Sequence, residues 1–392
     1  MWRQRAKSFW LVGGDKNFKY FHSRATQRHR RNRITGINNS LGRWVHHSEE
    51  IAEAFIEYYQ NLYTSSNSVL GDNDLNSIPT LVTAEMNSQL SQEFMEWEVQ
   101  AALKQMAPLK APGLDGMPLI FYQNYWNLVG EDVTNTILSY LNLATLPHPL
   151  NHTFITLIPK IKNLTSVSDY RPISLCNVLY KIFSKVLTNR LKKFLPSIIL
   201  EHQSAFTKNR LIFDNILVAF ETLHSMNIHK SSKYSYMTMK LDMSKAYDRV
   251  EWSFFEEVMR KLGFNEQWIT LMMICVNSVS YSVLVNGEPK GMIRPSRGIH
   301  QGDPLSPFLF LLCTEGLHSL ISKAASEGTI HGVGLSRSPK LTHLLFADDS
   351  LLFYSLARMN AIKFCKFWSP MKVCWAKNLI EAKLPSFLAN PP

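Results

Sequence analysis

The chain has 392 residues, of which 45% are hydrophobic and 11% aromatic, so it carries enough apolar material for a sizeable core and is not a disordered protein. Lysine and arginine outnumber aspartate and glutamate by 42 to 31, and much of the excess lies near the N-terminus. The five cysteines are scattered, with no Cys-x-x-Cys pair, so they predict neither a disulfide framework nor a zinc site.

Membrane insertion is not expected from the distribution of apolar residues. The most apolar run, Phe308 to Cys313, is six residues long, far short of a membrane span. Met1 is followed by polar and basic residues rather than by the apolar segment of a signal peptide. We therefore expect a soluble, intracellular chain with no membrane partner.

The N-terminal segment is strongly basic. Residues 1–33 contain ten basic residues and one acid, Asp15. Its densest part has no acid and five arginines, namely Arg24, Arg28, Arg30, Arg31 and Arg33. Such a cluster predicts contacts with the phosphate backbone of nucleic acid. A solvated basic linker or a localisation tag remains the alternative.

Helix and loop signals follow in the next third of the chain. Apolar spacing predicts helices over 48–62 and 96–106, separated by a Ser/Asn/Gly/Asp-rich interval, 64–77, that is typical of an exposed linker. Residues 110–118 hold too much Gly and Pro for a helix or a central strand, so a structured loop is predicted there. Another helix is predicted over 181–194, closed by Pro196.

Two basic residues stand at the ends of strand-like segments. The apolar run 154–159 leads into Lys160, and Arg171 begins the segment Arg-Pro-Ile-Ser-Leu. Arginine binds phosphate oxygens bidentately and lysine supplies a point charge, so the pair is suited to a triphosphate. Taken alone, two ordinary surface charges explain the same pattern.

A strand, a helix, a hairpin and a long helix are predicted next. The strand covers 237–241 and delivers Asp242, and the apolar face of the following helix ends at Gly263. The Asn-Gly pair within 283–288 predicts a hairpin. Residues 297–307 contain Gln-Gly-Asp-Pro and lead into an apolar helix that runs toward Ala325.

A second hairpin is predicted around Phe346-Ala-Asp-Asp349. Short apolar runs flank the pair Asp348-Asp349, which places two carboxylates at the tip of a tight turn. By turn preferences alone, a solvated turn without function accounts for such a pair. Only the motifs upstream argue for chemistry at this tip.

Together these segments resemble the palm motifs A, B and C of reverse transcriptases. Residues 240–252, 171–175 and 111–116 look like the corresponding parts of the non-LTR (LINE-type) retrotransposon polymerases of plants, and the basic N-terminal region resembles the segment that follows their endonuclease domain. The resemblance covers roughly residues 2–356. It implies an α/β (α+β) fold with right-hand polymerase fingers and palm, in which helices flank an antiparallel palm sheet.

The resemblance also implies a metal site for nucleotidyl transfer. Two Mg²⁺ ions, with Mn²⁺ as a substitute, stabilise the attacking and leaving oxygens of such a reaction, and Mg²⁺ prefers hard oxygen ligands. By the resemblance, Asp242 and Asp348 bridge the metals, the carbonyl of Met243 completes a site, and Asp349 is the less direct ligand. The implied partners are an RNA template, a DNA primer and a deoxynucleoside triphosphate (dNTP).

The same resemblance assigns nucleotide contacts. Tyr247 matches the bulky residue that excludes a ribose 2′-hydroxyl, although a purely core aromatic is the alternative. Gln301 and Gly302 are implied to contact the incoming nucleotide and template, with Lys160 and Arg171 holding the triphosphate. Two further carboxylates, Asp248 and Asp303, are expected to be structural, capping helices or pairing with basic groups.

The C-terminal part departs from the family pattern. Residues 357–392 contain no recognisable primer grip or thumb, so we predict a chain truncated after motif C. The predicted division is a basic linker segment following a missing endonuclease (1–95), a fingers-like region (96–235), a palm (236–356) and a divergent tail (357–392).

Two functions follow from this division. The first is an RNA-directed DNA polymerase, expected inside the cell and in the nucleus at the site of integration. The second is a catalytically inactive nucleic-acid-binding remnant. A hydrolase built on the paired aspartates is disfavoured because we find no local His or Ser partner for them.

Overall fold

The computed structural model describes residues 19–66, 75–228, 236–243, 245–334 and 340–355. These residues form a mixed α/β fold with twelve α-helices. The helices are α1 Lys19–Asn32, α2 Ser48–Tyr63, α3 Ala84–Leu90, α4 Glu96–Gln105, α5 Leu119–Asn124, α6 Trp126–Asn142, α7 Val178–Leu191, α8 Leu195–Ile198, α9 Ile212–Ile228, α10 Trp252–Leu262, α11 Glu266–Asn277 and α12 Ser306–Ser326.

The strands form three sheets, of which the first is a two-stranded ribbon. The strands are β1 Ile37–Asn38, β2 Trp44–Val45, β3 His152–Pro159, β4 Tyr170–Leu175, β5 Tyr236–Asp242, β6 Ser280–Val285, β7 Glu288–Ile293, β8 His343–Phe346 and β9 Asp349–Ser355. A four-stranded sheet has the order β4-β3-β6-β7, with β3 and β6 parallel. A three-stranded antiparallel sheet has the order β5-β9-β8 and carries the acidic motifs.

Local sequence signals explain most of these elements. Helix α10 is strongly amphipathic, burying Phe255, Val258 and Leu262, and it ends at Gly263, whose φ of +95° is the left-handed conformation that glycine adopts without strain. The hairpin β6–β7 turns at the predicted Asn-Gly pair. These predictions, and those of the helices over 48–62, 96–106 and 181–194, are confirmed to within a few residues at each end.

The main hydrophobic core is organised around α12. Most side chains of α12 are buried, among them Phe310 and Leu311. A Cβ at Gly316 would lie 2.7 Å from the ring of Phe254, so glycine at this position lets α10 and α12 pack closely. Buried residues of the acidic strands, among them Met239 and Leu345, belong to the same core.

Helix α12 also corrects one expectation from the sequence. It has 21 residues, and its most apolar stretch has a mean hydropathy of 1.2, so it is long and apolar enough to cross a membrane. Counting uninterrupted apolar residues missed it because isolated polar residues break the run. Within the protein, however, 78% of that stretch is buried, which is the behaviour of a core helix.

The N-terminal region contains more folded structure than a linker. Its arginine-rich part is the helix α1, and α2 packs against the four-stranded sheet through Phe55, Tyr59 and other buried residues. The domain boundaries at 95, 235 and 356 stay predictions. The tail 357–392, including the expected absence of a thumb, lies outside the described residues.

Candidate active site

The hairpin β8–β9 presents the predicted acidic pair. Phe346 pairs with Asp349, which leaves Ala347 and Asp348 as a two-residue turn. Ala347 has a φ of +51°, and its backbone N–H donates a 3.0 Å hydrogen bond to Oε1 of the buried Gln203. Asp348 and Asp349 are both exposed. The buried side chain of Gln203 thus holds the backbone of the turn, while the carboxylates of Asp348 and Asp349 remain exposed to solvent.

Strand β5 brings the third predicted carboxylate residue to the same end of the sheet. Asp242 is the last residue of β5, and its backbone pairs with Asp349. The side chain of Asp242 lies outside the described part of the chain. Met243 follows, and its carbonyl oxygen accepts a 3.1 Å hydrogen bond from the N–H of Ala246. A carbonyl oxygen has two lone pairs, so one remains for another ligand.

A large cleft adjoins this end of the sheet. It encloses about 930 Å³ and holds seven of the predicted site residues in its lining: Lys160, Arg171, Met243, Tyr247, Gln301, Gly302 and Asp348. Its lining includes five basic side chains and three carboxyl groups. Such a cleft attracts a polyanion, because positive charges on its walls raise the local concentration of negatively charged ligands.

Asp349 does not line this cleft. Its Oδ1 forms a 2.8 Å ion pair with Nζ of Lys240, and both side chains are more than half exposed. An ion pair with that exposure contributes little to stability. The expectation that Asp349 is a less direct ligand than Asp348 stays a prediction.

Neighbouring strands carry the two predicted triphosphate ligands. Arg171 lies on β4 opposite Ile158 of β3, and Lys160 follows the end of β3. Both side chains are exposed. Lys160 donates a 2.9 Å hydrogen bond from Nζ to the carbonyl of Ser168. The antiparallel pairing of β3 and β4 is therefore what brings these two cations together at the cleft.

Tyr247 packs against the core and also lines the cleft. Its ring stacks on Phe310 of α12, with 4.8 Å between ring centroids and 8° between ring planes. Burial raises the pKa of its hydroxyl to about 12, and the charge of Asp348 adds to this rise. One face thus packs against the core while the residue also lines the cleft, where a rigid ring can limit the space for a ligand.

The side chain of Gln301 is engaged within the protein. Its Nε2 donates hydrogen bonds of 3.1 Å to both carboxylate oxygens of Asp248. Asp248 is buried, which raises the pKa of its carboxyl to about 6 despite the opposing charge of Lys245. Gln301 thereby holds a fixed orientation, and its predicted contact with a nucleotide stays a prediction.

Gly302 and Asp303 form the entry to α12. Gly302 has a φ of +111°, a conformation that strains other residues. Asp303 is buried and accepts hydrogen bonds from Oγ of Ser184 at 2.6 Å and from the N–H of Leu305 at 3.1 Å. Burial raises the pKa of this carboxyl to about 6. The surroundings of Asp303 are those of a structural residue, as expected.

Three lysines of the cleft were missed by the sequence reasoning: Lys110, Lys185 and Lys245. Lys245 has a φ of +56°, and its ammonium group lies 4.2 Å from the ring centroid of Tyr58, to whose hydroxyl it also donates a hydrogen bond. Burial lowers the pKa of Lys245 to about 8. Lys245 lies close to Asp242 in the sequence, so its place in the site could have been predicted. Lys110 and Lys185 are brought to the cleft only by folding.

The five predicted nucleic-acid-binding arginines lie elsewhere. None of them is among the described residues that line the cleft. Four of the side chains are exposed and that of Arg28 is half-buried. All lie on α1 or, for Arg33, just beyond it. A basic surface separate from the cleft suits a contact with the nucleic-acid backbone outside the reaction site.

The donor groups at the hairpin fit a magnesium site. Mg²⁺ binds hard oxygen ligands through one or two carboxylates and keeps several waters. The exposed carboxylate of Asp348 and the nearby carbonyl of Met243 are ligands of this kind. The basic side chains of the cleft can bind the phosphate groups that also coordinate such metal ions. The residues present therefore match a divalent metal of the hard, oxygen-seeking type.

Comparison with known proteins shows the family. The family described as "Reverse transcriptase (RNA-dependent DNA polymerase)" matches residues 158–366. A "Transposon TX1 uncharacterized 149 kDa protein" of Xenopus laevis is 27% identical over 97% of this chain and 29% of its own length. A "Retrovirus-related Pol polyprotein from type-1 retrotransposable element R2" of Popillia japonica is 29% identical over 65% of this chain and 34% of its own.

A shorter relative comes from a plant. An "uncharacterized mitochondrial protein" of Arabidopsis thaliana is 53% identical over 68 residues, which are 17% of this chain and 56% of that protein. The chain thus spans only part of each of these relatives. The family match covers more than half of the chain and includes the cleft residues from Lys160 to Asp348. The chain therefore belongs to the reverse transcriptase (RNA-dependent DNA polymerase) family.

Proposed function

We propose that this chain is the RNA-directed DNA polymerase domain of a LINE-type retrotransposon, which extends a DNA primer on an RNA template with dNTPs. The relatives from retrotransposable elements support this assignment. One observation carries it: a single cleft joins the exposed carboxylate of Asp348 to the cations of Lys160 and Arg171 and to the ring of Tyr247. A nucleotidyl transferase needs these chemical groups side by side.

Each group has a distinct task in the proposed reaction. Asp348 and Asp242, with the carbonyl of Met243, would hold two Mg²⁺ ions, which when bound stabilise the charge on the attacking and leaving oxygens. Lys160 and Arg171 bind the triphosphate and neutralise its charge. Asp349, paired with Lys240, keeps a supporting position beside the metal ligands.

Sugar selection is assigned to Tyr247. Its ring is held against Phe310 and therefore cannot easily move away from a ligand. A ribose 2′-hydroxyl that meets a fixed ring is excluded by steric overlap, whereas a deoxyribose fits. Gly302 lets the backbone approach the nucleotide closely at the adjoining wall.

Primer extension tests the proposal directly. The purified chain, with Mg²⁺, dNTPs and a DNA primer annealed to an RNA template, should lengthen the primer, and Asp348→Asn should not. Asp132→Asn is the matched control, because Asp132 is exposed on α6 and outside the cleft lining. Failure of the unmodified chain to extend any primer would contradict the proposal.

A catalytically inactive, nucleic-acid-binding protein is the second candidate. The exposed arginines of α1 favour it, because phosphate contacts bind nucleic acid whether or not the cleft is active. Binding of RNA without primer extension, with a salt dependence reduced by replacing Arg24, Arg30, Arg31 and Arg33, would identify this function.

Origin and location complete the proposal. We infer that the element belongs to a plant genome, which the relative from Arabidopsis thaliana supports. The protein would act in the nucleus, where a LINE-type element integrates. Imaging of a tagged chain in plant cells tests this location, and exclusion from the nucleus would contradict it.

A further inference from the structure

Three histidines from distant parts of the sequence meet outside the polymerase cleft. They are His202 in the segment after α8, His318 in α12 and His343 at the start of β8. One ring nitrogen of each lies within 4.8 Å of the others. His343 is buried and the other two are half-buried. The cluster therefore lies at the edge of the core, within reach of solvent.

The ring nitrogens of two histidines face one another. Nδ1 of His318 lies 2.9 Å from Nε2 of His343. The third ring, that of His202, is stacked on His343 with 4.7 Å between centroids, and its buried Nδ1 has no hydrogen-bond partner among the residues that the structure describes. An unpaired buried nitrogen carries a free-energy cost. Purely structural packing leaves that cost uncompensated.

The outer ring nitrogens of His318 and His343 each lie within hydrogen-bonding distance of a hydroxyl group. Oγ1 of Thr342 lies 2.8 Å from Nδ1 of His343, and Oγ of Ser322 lies 3.2 Å from Nε2 of His318. Histidine ligands of metals nearly always donate their second ring N–H to a hydrogen-bond acceptor, which fixes the tautomer and ring orientation, and a hydroxyl oxygen can also accept. The inner nitrogens of both rings are thereby held facing one another.

We propose that His202, His318 and His343 form a Zn²⁺ site, separate from the magnesium site of the polymerase reaction. Imidazole nitrogen is a preferred ligand of Zn²⁺, whereas Mg²⁺ prefers oxygen, so the two sites select different ions. Three histidines leave the fourth position of a tetrahedral ion to a solvent water. Burial lowers the pKa values of all three side chains, in agreement with neutral rings whose lone pairs are available.

The facing pair needs only a small movement to admit the ion, whereas the ring of His202 must move farther, because the three ring nitrogens lie as much as 4.8 Å apart. Two nitrogens bound to one tetrahedral Zn²⁺ at about 2.0–2.1 Å are about 3.3 Å apart. The facing nitrogens of His318 and His343 must therefore separate by a few tenths of an ångström. Their shared hydrogen bond is replaced by two metal bonds, and His318 changes tautomer so that its Nε2–H donates to Ser322. No net proton is released by this exchange.

The site would stabilise the support of the catalytic hairpin. The carbonyl of His202 accepts a 2.8 Å hydrogen bond from the N–H of Leu345 in β8. The neighbouring Gln203 accepts the N–H of Ala347 in the turn. An ion bound by histidines of α12, β8 and the segment after α8 would therefore hold Gln203 in place, and Gln203 supports the turn that carries Asp348.

Metal analysis of the full chain tests this site. The protein is prepared without a polyhistidine tag, stripped with a chelator and titrated with Zn²⁺ in excess Mg²⁺, which occupies oxygen sites. We expect one Zn²⁺ per chain, a Zn²⁺-dependent rise in Tm, and the visible absorption of tetrahedral coordination when Co²⁺ replaces Zn²⁺. His202→Gln should weaken Zn²⁺ binding at least about tenfold and reduce the rise in Tm at a given Zn²⁺ concentration.

Further variants separate this site from other histidines and from general damage. Thr342→Val preserves side-chain shape but removes the hydroxyl group beside His343, so binding should weaken about 10- to 100-fold in a folded protein. His224→Ala, at an exposed histidine of α9, and Asp348→Asn should bind Zn²⁺ normally. Absence of Zn²⁺ binding by the unmodified chain, or equal affinity in His202→Gln, would overturn the proposal. Loss of primer extension alone would not affect it.

Discussion

Two hairpins of this protein have loops of equal length but opposite chemical character. The turn between β6 and β7 is Asn286-Gly287, with φ values of +54° and +96°. Two positive φ angles define the type I′ turn, for which Asn-Gly is a favoured pair. The turn between β8 and β9 is Ala347-Asp348, with a φ of +51° at Ala347. Alanine stands there at a position better suited to glycine.

The difference shows what a structural turn and a candidate catalytic turn each require. A left-handed conformation costs an ordinary residue about 1–2 kcal/mol. The strained turn is held by Gln203, whose side chain also accepts the N–H of Ala205 at 3.0 Å. The relaxed turn is held by Asn286, whose side chain bonds to both the N–H and the carbonyl of Ile34. Strain persists where surrounding contacts enforce it, and such places are often functional.

Removing the carboxylate at the strained tip should have the largest effect on activity. Asp348→Asn should reduce primer extension by on the order of 10³-fold, because a metal ligand and its charge are lost. The free energy of unfolding should change by less than about 0.5 kcal/mol, since the side chain is exposed. Steady-state extension and chemical denaturation measure the two quantities. If Asp348→Asn did not fold, its loss of activity could not be assigned to the carboxylate, and the comparison of the two hairpins would fail at this position.

Replacing Gln203 and Asn286, whose side chains hold the two turns, should separate an effect on the position of the carboxylate from an effect on the stability of the protein. Gln203→Ala removes three buried or half-buried side-chain hydrogen bonds and Asn286→Ala removes two, and each should cost about 1–3 kcal/mol of unfolding free energy. Only Gln203→Ala should also lower the extension rate per folded molecule, by about 10²-fold, because the carboxylate turn shifts. Rates normalised to the folded fraction provide the measurement. Equal losses of rate in both variants would show that Gln203 has no special role in positioning.

The sheet that carries the relaxed hairpin should contribute to the cleft through its other strands. Lys160→Ala and Arg171→Ala should each raise the KM for dNTP about tenfold, since a charge-assisted hydrogen bond contributes about 1.5–3 kcal/mol. Lys261→Ala is the control, because Lys261 pairs with Glu257 away from the cleft lining. Initial rates across dNTP concentrations give the KM values. A similar rise in all three variants would indicate a general charge effect.

Exchanging the turn residues should have the smallest effect. Gly287→Ala should destabilise the protein by about 1–2 kcal/mol, because alanine meets a left-handed φ of +96°. Ala347→Gly should stabilise it by no more than about 1 kcal/mol, since relief of strain is offset by the greater freedom of glycine in the unfolded chain. Thermal unfolding of the two variants measures both. Changes of the same sign would disprove the proposed contrast between the turns.

The sequence by itself determined the local elements and the order of the motifs. Apolar spacing located α10 up to Gly263, and the Asn-Gly pair located the β6–β7 hairpin, because such signals act between residues a few positions apart. The position of Asp348 in a tight turn also followed from its flanking apolar runs. The resemblance to reverse transcriptases then connected these pieces, and the family match agrees with it.

Tertiary structure alone decided which distant residues became neighbours. Gln203 braces a turn 144 positions away, and Lys110 and Lys185 join the cleft from separate elements. His318 and His343 meet only because β8 lies beside α12, and no spacing within the sequence marks them as a pair. Local preferences fix the conformation of a segment, but contacts of this kind depend on how whole elements pack around the shared core, which no short stretch of sequence encodes.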